Sequence, residues 1–147
     1  MRLVIQRVKR AKCTVDEKIT GQIESGFMIL VGIKESDTLD IVEKMANKIS
    51  KLRIFEDDEG KMNLDLKKVD GGILSISQFT LYGDCKKGNR PSFTEAKEPK
   101  AANEFYEYFN DLLKAKGFKV EKGIFGAHME IELLNDGPVT IILDSEK

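Results

Sequence analysis

This chain is short of the residues that most often announce chemistry. It has two cysteines, Cys13 and Cys85, far apart along 147 residues, which excludes a disulfide framework and a four-cysteine zinc site built from one chain. A reducing compartment is the expected setting. It has one histidine, His128, so any Cys-His or Ser-His-Asp mechanism within one chain must use that residue. No Pro/Gly/Ser-rich linker, repeat or low-complexity stretch interrupts it. A chain of this length can bury about two-thirds of its unfolded surface in one core, so residues 1–147 read as a single domain. Neither sign of charge dominates: 24 Lys and Arg stand against 25 Asp and Glu, for a net charge of −1. That balance lacks the global polybasic signature of many nucleic-acid binders. No apolar run is long enough to span a bilayer, and basic residues break up "MRLVIQRVKR" at 1–10 too often for a signal peptide. The expected location is the cytoplasm.

What is present is mostly strand pattern. Residues 2–8, then 13–23 as a hairpin, then "GFMILVGI" at 26–33 read as strands, the last apolar on both faces and so buried. Leu39, Val42, Met45, Ile49 and Leu52 recur at helical spacing behind the N-cap candidates Ser36, Asp37 and Thr38. "ILSISQFTL" at 73–81 predicts a further strand. A second helix is predicted from about Pro99 to Lys116, with Ala102, Phe105, Phe109 and Leu112 on its packed face and Gly117 as its stop. In "ELLNDGPVTIIL" at 132–143, Asn-Asp-Gly predicts a tight turn between two strands, "HMEIELL" and "VTIIL". Pro138, however, has no N–H for the ladder it is about to join. Together these elements predict an α+β fold with a mainly antiparallel or barrel-like sheet and two main helices.

"GDCKKGNR" at 83–90 starts like a phosphate-binding loop, but Asn89 and Arg90 stand where a P-loop needs Lys and Ser or Thr. What remains is a basic loop of Lys86, Lys87 and Arg90, either a solvated surface or a phosphate contact. Arg2, Arg7, Lys9, Arg10 and Lys12 crowd the first strand, which reads equally as an edge guarded by charge or an RNA-facing patch. His128 alternates with Glu130 and Glu132 on a wetter face opposite Met129, Ile131 and Leu133, and so reads as a surface residue rather than a base. A Cys85–His128 hydrolase lacks an orienting third group, and no metal-ligand spacing is present. More informative is "SISQFTLYG" at 75–83, an apolar strand that carries Ser75, Ser77, Gln78 and Thr80. Each such group, if buried without a partner, costs about 1–3 kcal/mol. Strict alternation would split Ser77 and Phe79 from Gln78 and Thr80, so either the strand bends or backbone supplies part of a site. Taken alone, Phe79 reads as core.

"SQFTL" at 77–81 together with "NDGPVT" at 135–140 resembles the D-aminoacyl-tRNA deacylase family, also called D-tyrosyl-tRNA deacylase. The likeness extends over essentially the whole chain, through "MRLVIQRV", "GNRPSF" at 88–93 and "FGAHMEIELLNDGPVTI" at 125–141. The resemblance implies a homodimeric, cofactor-free ester hydrolase. Its substrate would be the bond between a D-amino acid and the 3′-terminal adenosine of tRNA, with glycine mischarged on tRNA(Ala) also accepted. It implies that Ser77, Gln78, Phe79 and Thr80 form the catalytic site and that Phe125 and Met129 contact substrate. Gly137 and Pro138, joined by a cis peptide, would enter the other subunit's site and reject L side chains by collision. Lys86, Lys87 and Arg90 would contact tRNA, with Arg7 among them or supporting the loop that crosses between subunits.

An aminoacyl ester is already activated, so its hydrolysis asks for positioning, a water and oxyanion donors more than for a strong nucleophile. Two roles stand open for Thr80, a covalent nucleophile or a positioning hydroxyl beside backbone donors at Phe79 and Thr80. Two other readings compete with the deacylase: a non-catalytic tRNA-binding module, and an esterase for a different small ester.

Overall fold

Arg2–Val15 forms one strand, β1, because its apolar side chains keep facing a core through a slip in their alternation. In the computed structural model, which describes residues 1–147, one edge of β1 pairs antiparallel with β3 (Gly26–Gly32) and then with β2 (Lys18–Ile23). Its other edge carries β8 (Glu130–Asp144) along nearly its whole length. The first strand is therefore central, and the edge-strand reading of its charges is corrected. The expected break between residues 8 and 13 is a bulge instead: Val8 faces Asn135 while Arg10 faces the adjoining Leu134, leaving Lys9 over. The extra residue changes the face that packs. Leu3 and Ile5 join the helices' cluster, whereas Val8, Ala11 and Cys13 join a second cluster with Ile23, Met28, Leu74 and Ile76.

Beyond β3 the sheet turns parallel. β6 (Gly72–Ser77) pairs parallel with β3, and β7 (Val120–Lys122) parallel with β6. Each parallel step needs a long crossover, supplied by α1 (Leu39–Ser50) and α2 (Pro99–Ala115). The sheet then curls so far that β2 approaches β7: a Cβ on Gly21 would stand 2.9 Å from the Lys122 carbonyl oxygen. The result is an α+β fold with a nearly closed, barrel-like mixed sheet. A small hairpin of β4 (Arg53–Glu56) and β5 (Met62–Asp65) lies outside it.

Both faces of β3 are buried, as its sequence predicts; Phe27, Ile29 and Val31 meet the helices, and Met28 meets the second cluster. Helix α2 is rotated from the predicted face. Tyr106 and Leu113 are buried where Phe105 and Leu112 were expected, and those two pack only at the cluster's margin. The rotation places the aromatic ring of Tyr106 between the helix and the sheet.

The predicted hairpin at 135–138 does not exist. β8 continues through it in the same direction, and between the pairs Asn135–Val8 and Thr140–Gln6 it has four residues where β1 has only Arg7. Three residues, Asp136, Gly137 and Pro138, therefore leave the ladder. A proline can stand at the mouth of "VTIIL" because it is outside the hydrogen-bonded row. The prediction failed because Asn-Asp-Gly signals a chain excursion, and only tertiary pairing decides whether that excursion reverses direction.

The predicted strand at 73–81 is shorter than expected. β6 ends at Ser77, Gln78 turns out of the strand at φ −147° and ψ 81°, and Phe79–Tyr82 form a 3-10 turn. The Gln78 N–H still reaches the Val31 carbonyl at 2.8 Å. The turn settles on Gly32, where a Cβ would come within 3.1 Å of the Leu81 Cβ and 3.2 Å of the Gln78 carbonyl oxygen.

Candidate functional site

Because β6 bends, a cleft of about 540 Å³ opens beside the turn. Ser77, Gln78 and Phe79 line one side, the start of α2 with Glu98, Pro99, Ala102 and Tyr106 a second, and residues 125–129 a third. Ser75 is fully buried and outside it. The bend is what reconciles the motif with a single site: an extended strand would have sent Ser77 and Gln78 to opposite faces.

The first N–H groups of a helical turn have no carbonyl behind them to bond. Those of Phe79 and Thr80 follow this rule and find no acceptor elsewhere in the chain. Two donors are thus free on the turn; Phe79 lines the cleft, whereas Thr80, the next residue, is not among its lining residues. Thr80 is exposed, and its hydroxyl oxygen accepts a hydrogen bond from the Gln78 side-chain amide. An amide donor cannot take the hydroxyl proton, so nothing in contact with Thr80 activates it as a nucleophile.

Phe79 is 55% exposed and meets Phe93 edge-on, with ring centroids 5.1 Å apart. Its reading as core is corrected, since the pair forms an aromatic rim. Tyr106 donates from its hydroxyl to the Ser75 carbonyl at 2.7 Å, and burial pushes that hydroxyl up to about 12. It stays protonated near neutrality and acts as a strut between α2 and β6. Glu98 caps α2, accepting from the N–H of Lys100 at 2.9 Å and of Ala101 at 3.1 Å. Those bonds hold its carboxyl below the usual range, which makes it a cap rather than a base.

Phe125 and Met129 line the cleft. His128 does so too, although it is exposed, as the alternation predicts. Phe93, Glu98, Pro99 and Tyr106 were not among the expected site residues. Of these, only Pro99 carried a local signal, its place at the first position of a helix. The others reach the cleft through the loop from 83 to 98 and the rotation of α2.

Gly137 and Pro138 are exposed and do not line this cleft; the peptide between them is cis. Their loop is fastened at its neck, where the Asn135 amide donates to the carbonyls of Arg7 and Val139, each at 3.0 Å. Arg7 lies beneath. It is 5% exposed and donates to the Ile54 carbonyl at 2.7 Å and the Asp136 carbonyl at 3.1 Å, with the Asp136 carboxylate 3.4 Å away. A guanidinium so enclosed cannot meet a tRNA phosphate, so Arg7 is removed from the expected tRNA contacts and assigned to support of the loop. Lys86, Lys87 and Arg90 are exposed and outside the cleft. Their loop is closed by reciprocal bonds between Asp84 and Ser92 at 2.8 and 2.9 Å, immediately before Phe93. Cys13 is buried and Cys85 exposed, both free. No three His, Cys, Asp or Glu side chains converge to hold a metal ion, and no helix is long and apolar enough to cross a membrane.

Residues 4–144 match the model of the D-Tyr-tRNA(Tyr) deacylase family. A protein of Thermotoga petrophila named D-aminoacyl-tRNA deacylase is 55% identical over 147 residues, covering 100% of this chain and 99% of its own. One of the same name from Exiguobacterium sibiricum is 57% identical over 144 residues, covering 98% and 99%. Among solved structures, one described as c-Myc DNA unwinding element binding protein superposes with a TM-score of 0.91 at 40% identity, over 98% of each chain. Another, described as a probable eukaryotic D-amino acid tRNA deacylase, gives a TM-score of 0.84 over 97% of each chain; at 17% identity it speaks for the fold alone.

Proposed function

The chain belongs to the D-Tyr-tRNA(Tyr) deacylase family, and from that premise we propose that it hydrolyses the ester of D-aminoacyl-tRNA to free D-amino acid and tRNA. The observation that carries the reading is the bend after Ser77, which leaves the N–H groups of Phe79, a residue of the cleft wall, and of Thr80, its neighbour on the turn, unbonded. Water adds to the ester carbonyl carbon, and the two N–H groups take the charge that develops on its oxygen. The C–O bond to the ribose 3′-oxygen then breaks, and that oxygen leaves with a proton from the water, relayed through the neighbouring 2′-hydroxyl. Thr80, held by Gln78, orients rather than attacks. Thr80→Ala is therefore expected to keep activity within about tenfold of wild type; a trapped acyl-threonine would reverse that assignment. The Phe79–Phe93 rim offers an edge for the terminal adenine.

Chirality is assigned to a second copy of the chain. Gly137 and Pro138 are exposed on β8 and do not line their own cleft, which leaves them free to enter a neighbour's. There their backbone would hold the substrate's α-ammonium and leave no room for an L side chain, while a D side chain points outward. Glycyl-tRNA, with nothing to collide, should also be accepted. The working location is the cytosol, where tRNA is charged.

The basic loop is assigned to tRNA phosphates. Replacing Lys86, Lys87 and Arg90 together by Gln is expected to raise KM with kcat little changed, and to flatten the rise of KM with salt; an unaltered salt dependence removes the loop from the contact.

A nucleic-acid-binding module without catalysis is the second reading, favoured by the description of the 40% identical structure as a DNA-binding protein. Incubation with matched D-Tyr-tRNA and L-Tyr-tRNA in the presence of a chelator separates the two. Selective release of D-tyrosine supports the deacylase. Binding of tRNA without release of either amino acid supports the module.

A further inference from the structure

The 3-10 turn that carries the two free donors is short, and short turns hold their angle only if something outside them does so. Its start is tied by the Gln78 N–H to Val31 and seated on Gly32. Its end is tied by Arg2. In the sheet Arg2 stands between Gly32 on one neighbour and Asp144 on the other. Its guanidinium donates to the Leu81 carbonyl at 2.7 Å from Nη1. It also reaches the Asp144 carboxylate at 2.9 Å from Nε and 2.8 Å from Nη2, and it lies 4.9 Å from the centroid of the buried Tyr82 ring. One fork thus bonds the turn, the last strand and an aromatic face. The Asp144 side chain is 5% exposed, so the pair is shielded on the carboxylate side.

We propose that Arg2 is a positioning residue for the hydrolysis: locked by Asp144, it grips the Leu81 carbonyl and fixes where the Phe79 and Thr80 N–H groups meet the substrate. This rests on those groups being the oxyanion donors. Neither of the surface roles that the basic first strand suggests, edge protection or RNA contact, uses this geometry. A lysine could not replace it, because a single ammonium lacks the planar fork that serves carboxylate and carbonyl together. Asp144 is part of the device. Burial works against its charge, but the Glu146 N–H and the Arg2 guanidinium outweigh that and hold its carboxyl below the usual range. The lock therefore stays engaged at neutral pH.

The test compares wild type, Arg2→Met, Arg2→Lys and Asp144→Asn on D-Tyr-tRNA, with kcat and KM measured separately, melting temperature followed, and amide exchange read at Gly83, whose N–H closes the turn on Thr80. A misplacement of about 1 Å can cost on the order of a hundredfold. Arg2→Met is therefore expected to lower kcat by about 30-fold, with KM within about threefold and faster exchange at Gly83. Arg2→Lys should recover only part of kcat, and Asp144→Asn should lose a smaller amount in the same direction. An unchanged kcat overturns the inference. So does a rise in KM alone, which would make Arg2 a tRNA contact, and so does a loss that follows melting temperature in every variant. If Arg2→Met does not fold, Asp144→Asn decides by the same readings. Wild type active and Arg2→Met equally active refutes the positioning role alone; a wild type inert on D-Tyr-tRNA refutes the functional reading and this inference with it.

Discussion

Gly137→Ala is expected to lose D-aminoacyl-tRNA hydrolysis by about a hundredfold or more while remaining folded. A Cβ there would stand 2.7 Å from the Val139 Cγ2, 3.0 Å from the Val139 nitrogen and 3.1 Å from an Arg7 guanidinium nitrogen. The Val139 methyl can rotate away, but backbone and a buried cation cannot give way so cheaply. The residue also sits at φ +127°, which an L side chain seldom adopts. The loop must move, and a wall that selects by collision works only where it stands. The fold survives because these residues lie outside the ladder. Steady-state kinetics on D-Tyr-tRNA, paired with a melting curve, would check this; full activity in the variant would remove the close approach from the mechanism.

Phe79→Pro is expected to lower kcat by about 10²–10³ relative to Phe79→Ala. Proline fits the first position of a helical turn because the N–H it removes is one the turn does not use. Alanine keeps that N–H and removes the ring. The pair of variants therefore separates the donor from the aromatic rim: Phe79→Ala should act mainly on KM, through adenine, and Phe79→Pro on kcat as well. Equal kcat values for the two would mean that the Phe79 N–H does not meet the oxyanion.

Much of this was legible from the sequence where burial and periodicity coincide. The run at 26–33 is buried on both faces as its composition requires, and α2 starts at Pro99 and stops before Gly117. Ser77, Gln78, Phe125 and Met129 do share one cleft. What failed were the features decided by a distant strand. The centrality of β1 depends on β8, more than a hundred residues away. The bend of β6 depends on the absence of a side chain at Gly32, and the burial of Arg7 on the carbonyl of Ile54. Local chemistry proposes turns and charges; their partners decide what they become. Phe93 and Tyr106 were invisible for the same reason, since neither is near the motif in sequence.

The three residues that β8 sheds from its ladder separate two duties that usually share the same amino acids. Pairing on either side is set by side chains that pack inward, Ile131 and Leu133 before the excursion, Val139, Ile141 and Leu143 after it. None of the shed residues takes part in that choice. Changes at 136–138 can therefore be tried one after another, by selection or by an engineer, without renegotiating the register of the strand. With the proposed role of Gly137 and Pro138, stereochemical preference would be a replaceable fitting on a settled frame, its variation limited by what Arg7 and Asn135 can hold rather than by what the sheet can tolerate.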